Sequence, residues 1–268
     1  MTDPIDFMRM PAIDVHAHCG TYDGFNASEA ILFNAEADEV VARARACGVE
    51  RTIVSEIGAF DAEPGRPADV DAANRRAGEA AERFEDLRFY VVVNPKREGW
   101  ETVTDRMLEH PGCAGVKLHP RWHHWSVEEH GDRLFSFLNE RRLLTLTHTG
   151  NLGNEPERFI PFANRFPHVR LILAHIGHSE TQTYDLQINA VKMSTQGNVW
   201  ADTSSSKSIA GRLIERAVEQ VGAECVLFGS DAPLYFTAMQ KARIAYALIP
   251  DEAKRMILYD NAAGLLGV

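Results

Sequence analysis

Eight short apolar runs recur along the 268 residues, at 12–16, 51–55, 88–93, 115–119, 143–148, 170–175, 199–203 and 225–230. Several, such as RTIVSE, FYVVVN and VRLILAH, are β-branched and almost continuously apolar, as befits parallel strands buried on both faces. Between them the period changes to that of a helix. Residues 37–47 carry Val40, Val41, Ala44 and Cys47 at helical spacing and stop at Gly48. Residues 71–84 are rich in Ala, Glu and Arg, and 132–142 put Leu134, Phe135 and Leu138 on one face. A helix over 209–221 ends before Gly222, and 251–258 and 261–266 read as closing helices. No low-complexity tract or long linker interrupts the alternation, so residues 1–268 are expected to form a single domain of β–α units.

Such a parallel sheet can stay open or close into a barrel, and periodicity alone does not choose. The polar residues favour closure. In Asp14-Val15-His16-Ala17-His18, strict alternation puts Asp14, His16 and His18 on one side of the first strand. The fourth strand ends in Lys117-Leu118-His119, the fifth at His148, the sixth at His175 and the eighth at Asp231. An open sheet would spread these groups too far apart to share one ion, whereas a (β/α)8 TIM barrel gathers the C-terminal strand ends at one mouth. Three neutral imidazoles and a carboxylate, from His16, His18, His148 and Asp231, suit zinc or another first-row divalent ion. Taken singly, each has a plainer use. A strand-end His is commonly a hydrogen-bonded structural residue, and Asp231, ahead of a proline, could cap a helix. The ordered set, each member on its own strand end, is what points to a metal.

The segments IDVHAH, GVKLHP, LTHTG, LAHIG, FGSDAP and NAAGLLG together resemble the amidohydrolase superfamily. The similarity is greatest to its amidohydrolase-related branch, which includes hydrolases, lactonases and non-oxidative decarboxylases. The resemblance spans almost the whole chain and implies a distorted (β/α)8 barrel. It also implies that His16 and His18 are the paired first-strand ligands and His148 the fifth-strand ligand. His175 would be a catalytic group or a ligand of a second metal, and Asp231 both a ligand and the base. Lys117 falls where relatives with two metals carry a carboxylated lysine or a glutamate on the fourth strand, and a bridging carbamate is one reading of it. The plainer use of Lys117 is a buried ammonium paired with a carboxylate of the barrel or the substrate. One metal is expected, because Lys117 has that alternative use and the fourth strand offers no carboxylate.

The stretch Pro120-Arg121-Trp122-His123-His124-Trp125 reads as a loop after the fourth strand. From it Arg121 and Trp122, with His119 and Tyr235, are candidate substrate contacts, since a guanidinium is well shaped to hold a carboxylate. The leading expectation is a metal-dependent hydrolase of an ester, lactone or amide; the alternative is a decarboxylase of a small aromatic or unsaturated acid on the same site. A net charge of −10 argues against nucleic acid and anionic membranes as partners, leaving a small-molecule substrate and room for a homo-oligomer. The widely spaced Cys19, Cys47, Cys113 and Cys225 are expected to be reduced thiols. Of these, Cys19 stands next to the first histidine pair, and Cys113 and Cys225 read as small core residues. The start MTDPIDFMRMP has no signal-peptide character and no run is long enough to span a bilayer, so a cytoplasmic location is expected.

Overall fold

A computed structural model describes residues 6–181, 183–205 and 210–268. Its eight strands are β1 (Ala12–Cys19), β2 (Val49–Glu56), β3 (Leu87–Val93), β4 (Cys113–Leu118), β5 (Leu144–Thr147), β6 (Arg170–Leu173), β7 (Val199–Asp202) and β8 (Val226–Leu227). All neighbours pair in parallel, in sequence order. The seam between β8 and β1 is closed by single contacts, not a regular ladder. Val15 N–H donates to Phe228 (3.0 Å), Asp231 N–H to His16 (2.7 Å) and His18 N–H to Ala232 (2.6 Å). The fold is therefore the expected (β/α)8 barrel.

The expected helices appear with shifted ends. Ala37–Ala46, Val70–Arg83 and Asn261–Leu266 stand within a residue of their predicted spans. Val127–Glu140 begins five residues before the predicted start, because Ser126 and Glu129 form a capping box there. The helix before β8 is Leu213–Val221; Ile209, its predicted start, lies outside the described residues. Residues 120–123, read as loop, form a helical turn with Pro120 in its first position.

Two apolar layers hold the barrel. Outward residues such as Val54, Phe89, Val91, Leu171 and Leu173 pack against the helices, while Ile13, Val15, Ile53, Tyr90, Leu146 and Ile172 fill the inside. Below, Ala262 and Ala263 of the closing helix join the inner cluster. Cys19 is buried in the outer layer with Ala17 and Val54, and does not line the mouth. Cys113 and Cys225 are only partly buried, the first at the start of β4 and the second just before β8. Among the described residues no helix is long and apolar enough to cross a membrane.

Candidate metal centre

Strict alternation along β1 does not survive. One extra residue enters between Asp14 and Ala17 relative to β2. This bulge, a device that re-aims side chains, lets Val15 pack inward while His16 and His18 still reach the mouth. Asp14 turns to the seam instead, accepting from His16 N–H (3.1 Å), Ser230 N–H (2.9 Å) and Ser230 Oγ (2.5 Å). Burial raises its carboxyl to about 7.

Each β1 imidazole is fixed by its outer nitrogen. His16 Nδ1 donates to Asp202 Oδ2 (2.9 Å), and Ser204 Oγ stands 2.8 Å away. His18 Nδ1 meets the Ser55 carbonyl (3.2 Å) and hydroxyl (2.9 Å). These acceptors leave lone pairs on both Nε2 atoms, facing inward, which is the arrangement that prepares a metal-binding histidine. Asp231 Oδ1 lies 3.1 Å from His18 Nε2 and 3.5 Å from His16 Nε2. Two donors bound about 2.1 Å from a tetrahedral ion stand about 3.4 Å apart. The three atoms thus have ligand spacing, and with His16 and His18 both protonated on Nδ1 they offer three acceptors to one point, one of which already accepts from Lys117 Nζ at 2.8 Å. The donor set fits a divalent metal. Asp231 adopts φ 56° and His175 φ 74°; such left-handed backbone at non-glycine residues is uncommon and recurs at functional sites. Asp231 is no helix cap, as the next helix, Thr237–Ala245, starts beyond it.

A second grouping, His16, His175 and Asp202, also lies within ligand reach. Its atoms are already spent on hydrogen bonds: Asp202 accepts from His16 Nδ1 and from the backbone N–H of His175 (3.0 Å) and Ser204 (2.9 Å). His148 stands outside both groupings. Its Nδ1 faces His175 Nε2 at 3.0 Å, and its Nε2 meets Asn151 Oδ1 at 2.5 Å. Asn151 in turn donates to Glu180 (2.7 Å), which also accepts from Leu152 N–H (3.0 Å) and pairs with Arg121. Since Glu180 fixes the amide orientation, Asn151 turns its oxygen to His148, placing the His148 proton on Nε2 and the lone pair on Nδ1.

Lys117 is fully buried and pairs with no carboxylate among the described residues; its Nζ donates to His16 Nε2 at 2.8 Å. Burial lowers it to about 8, against the pull of Asp231 and Asp202. Burial also keeps His16, His119 and His175 neutral, well below the ordinary histidine value, and brings His148 to about 3. Neutral imidazole is the ligating form. Desolvation raises Asp231, with His18 the main opposing influence.

The centre opens into a cavity of about 300 Å³ lined by His119, Arg121, Trp122 and Tyr235, all expected, and by Ile57 and Leu234, which were not. One wall is a column of rings. Tyr22 stacks on Trp122 (4.7 Å), Trp122 on His119 (4.4 Å) and His119 on His148 (4.2 Å). Glycine in FGSDAP has a local reason: a side chain at Gly229 would meet His16 Cβ at 3.0 Å and Asp202 Cγ at 3.2 Å. The reading from sequence passed over Ser55, Asn151, Asp202 and Ser204. Asp202 alone carried a signal, as a carboxylate at the end of an apolar strand.

A barrel with paired β1 histidines and a β8 aspartate at its mouth defines a class, and the sequence supports it throughout. The chain belongs to the amidohydrolase family, whose model matches residues 13–268. Among curated protein sequences none matches this chain. Solved structures share the fold at low identity. The 5-carboxyvanillate decarboxylase of Sphingomonas paucimobilis is 14% identical with TM-score 0.76, over 96% of this chain and 99% of that one. A dihydroxybenzoic acid decarboxylase from Polaromonas sp. JS666, with bound manganese, is 14% identical with TM-score 0.73, over 96% and 97%. A probable 2-pyrone-4,6-dicarboxylic acid hydrolase from Acinetobacter baumannii is 15% identical with TM-score 0.69, over 97% and 100%.

Proposed function

We propose that this enzyme is a metal-dependent hydrolase of an ester, lactone or amide bond in a small substrate bearing a carboxylate. The observation that carries this is the convergence of His16 Nε2, His18 Nε2 and Asp231 Oδ1 on one point. These three would hold the ion, with His148 Nδ1 as a fourth ligand after a shift away from His175. A bound divalent metal supplies a water of lowered pKa and polarises a carbonyl. Asp231, buried and raised above the ordinary carboxylate value, would take the water proton and return it to the leaving group. His175, whose Nδ1 faces the Ser204 carbonyl, would present its Nε2 to the substrate once His148 turned to the metal. Lys117, relieved of His16, would hold negative charge in the cavity that it lines. Arg121 at the rim receives the substrate carboxylate, exchanging it for Glu180. Ile57, Trp122 and Leu234 cover the apolar part.

One metal is the reading we favour, because the second grouping is already satisfied by hydrogen bonds. Zinc is our assignment for the His and Asp donors; the manganese of the Polaromonas decarboxylase makes that ion the alternative. Two metals, the second held by His175 together with His148 and bridged to the first by a carboxylated Lys117, is the competing arrangement. Four free cysteines support a reducing, cytoplasmic setting.

Decarboxylation is the second reading, favoured by the decarboxylases among the structural neighbours. Metal-loaded protein offered lactones, esters, amides and hydroxybenzoates separates the two. Hydrolysis yields a new acid with no carbon dioxide, and Asp231→Asn lowers its rate by about 10²–10⁴. One carbon dioxide per substrate consumed, without a hydrolytic product, refutes the hydrolase reading.

A further inference from the structure

The opposite end of the barrel holds a cavity of about 440 Å³ walled by strand starts and by the last residues of the chain. Arg51 of β2, Arg88 of β3 and Arg170 of β6 line it, and no Asp or Glu does. In a chain with ten more acidic than basic residues, three guanidinium groups on one cavity are a local reversal of charge. None of the three forms an ion pair among the described residues. Arg88 spends one nitrogen on the carbonyls of Glu85 (2.8 Å) and Leu87 (2.9 Å), and Arg170 reaches those of Leu265 and Arg142 (3.2 Å). Arg51 Nε is buried with no hydrogen-bond partner, although an unmet buried donor costs about 1–3 kcal/mol.

We propose that this cavity is a second ligand site, separate from the metal centre, that binds a multivalent oxyanion: phosphate, or a small molecule bearing two or more carboxylates. Guanidinium forks suit both chemistries, and three of them match a charge beyond one. The site would satisfy Arg51 Nε and neutralise the three cations that line it. Burial and the neighbouring Arg142 hold Arg170 below the usual guanidinium value. The bound anion would tie β2, β3 and β6 to residues 264–268, the end of the closing helix Asn261–Leu266 and the two residues after it, on the barrel floor. It acts on stability, in keeping with the structural role of this end of such barrels.

The probes are inorganic phosphate and citrate, titrated against the metal-loaded full chain, with sodium chloride at matched ionic strength as reference. Thermal unfolding and calorimetry are the readouts. Because either probe can also meet the metal centre, Arg88→Gln and Arg121→Gln are run in parallel. We expect one or both probes to raise the Tm by several degrees beyond chloride, with affinity about tenfold weaker in Arg88→Gln and unchanged in Arg121→Gln. Phosphate alone, or citrate alone, identifies which oxyanion the site takes. Arg88 is the variant of choice because its backbone contacts are local, so folding should survive; Arg170→Gln adds a second test where it folds. The proposal is overturned if neither probe stabilises beyond chloride, or if the effect persists undiminished in Arg88→Gln.

Discussion

Replacing Asp202 by Asn tests whether the centre is built from the second layer outward. Asp202 is fully buried, and its two oxygens have separate duties. Oδ2 accepts from His16 Nδ1, and Oδ1 accepts from the backbone N–H groups of His175 and Ser204. An amide cannot do both. With its NH₂ toward His16, the imidazole must move its proton to Nε2, the atom aimed at Asp231. With its NH₂ toward the backbone, it opposes two N–H donors. Loss of such a partner weakens metal binding about 10–100-fold, or roughly 1.4–2.7 kcal/mol. An unmet buried N–H adds about 1–3 kcal/mol of instability, lowering the Tm by about 2–5 °C for a chain of this size. Competition with a chromophoric chelator measures the affinity, and unfolding with and without metal measures the rest. A folded variant that binds metal within about twofold of the parent would show that Asp202 does not orient a ligand.

His175→Asn should leave metal content at about one equivalent while removing turnover; half the metal lost from a two-equivalent parent would establish the binuclear arrangement. Glu180 is depressed from 4.5 to about 2, by Leu152 N–H first and then by Arg121 and Asn151. Its contribution to stability is therefore complete above about pH 4.5 and fades as pH falls toward 2. Glu180→Gln should flatten the decline in Tm between pH 5 and 2.5, and an unchanged acid limb would count against the clasp with Arg121. Lys241 is fully buried and donates to the carbonyls of Met8 (3.1 Å), Cys47 (2.8 Å) and Gly48 (3.3 Å), pinning the segment before β1. Lys241→Met should cost roughly 3 kcal/mol in denaturant unfolding, and a loss under about 0.5 kcal/mol would show those bonds to be dispensable.

By itself, the order of residues determined the eight strands, their parallel direction and the ends at which chemistry gathers. Apolar runs of strand length and helix stops such as Gly48 and Gly222 are local signals, readable without knowing what packs against them. His16, His18 and Asp231 were legible for the same reason, as each interrupts or ends an apolar run. Tertiary structure decided how they are aimed. The bulge after Asp14 turned that carboxylate to the β8 seam, because register depends on the partner strand. His148 was placed against His175 and Asn151, because β5 and β6 pair as neighbours and bring the segments after them together. Ser55, Asp202 and Ser204 gained their roles from lying behind β1 in space while far from it in sequence. The arginines of the barrel floor became neighbours in the same way. Closure of the ring converts positions scattered along the chain into two facing ends, and side-chain partners across those ends carry no local sequence signal.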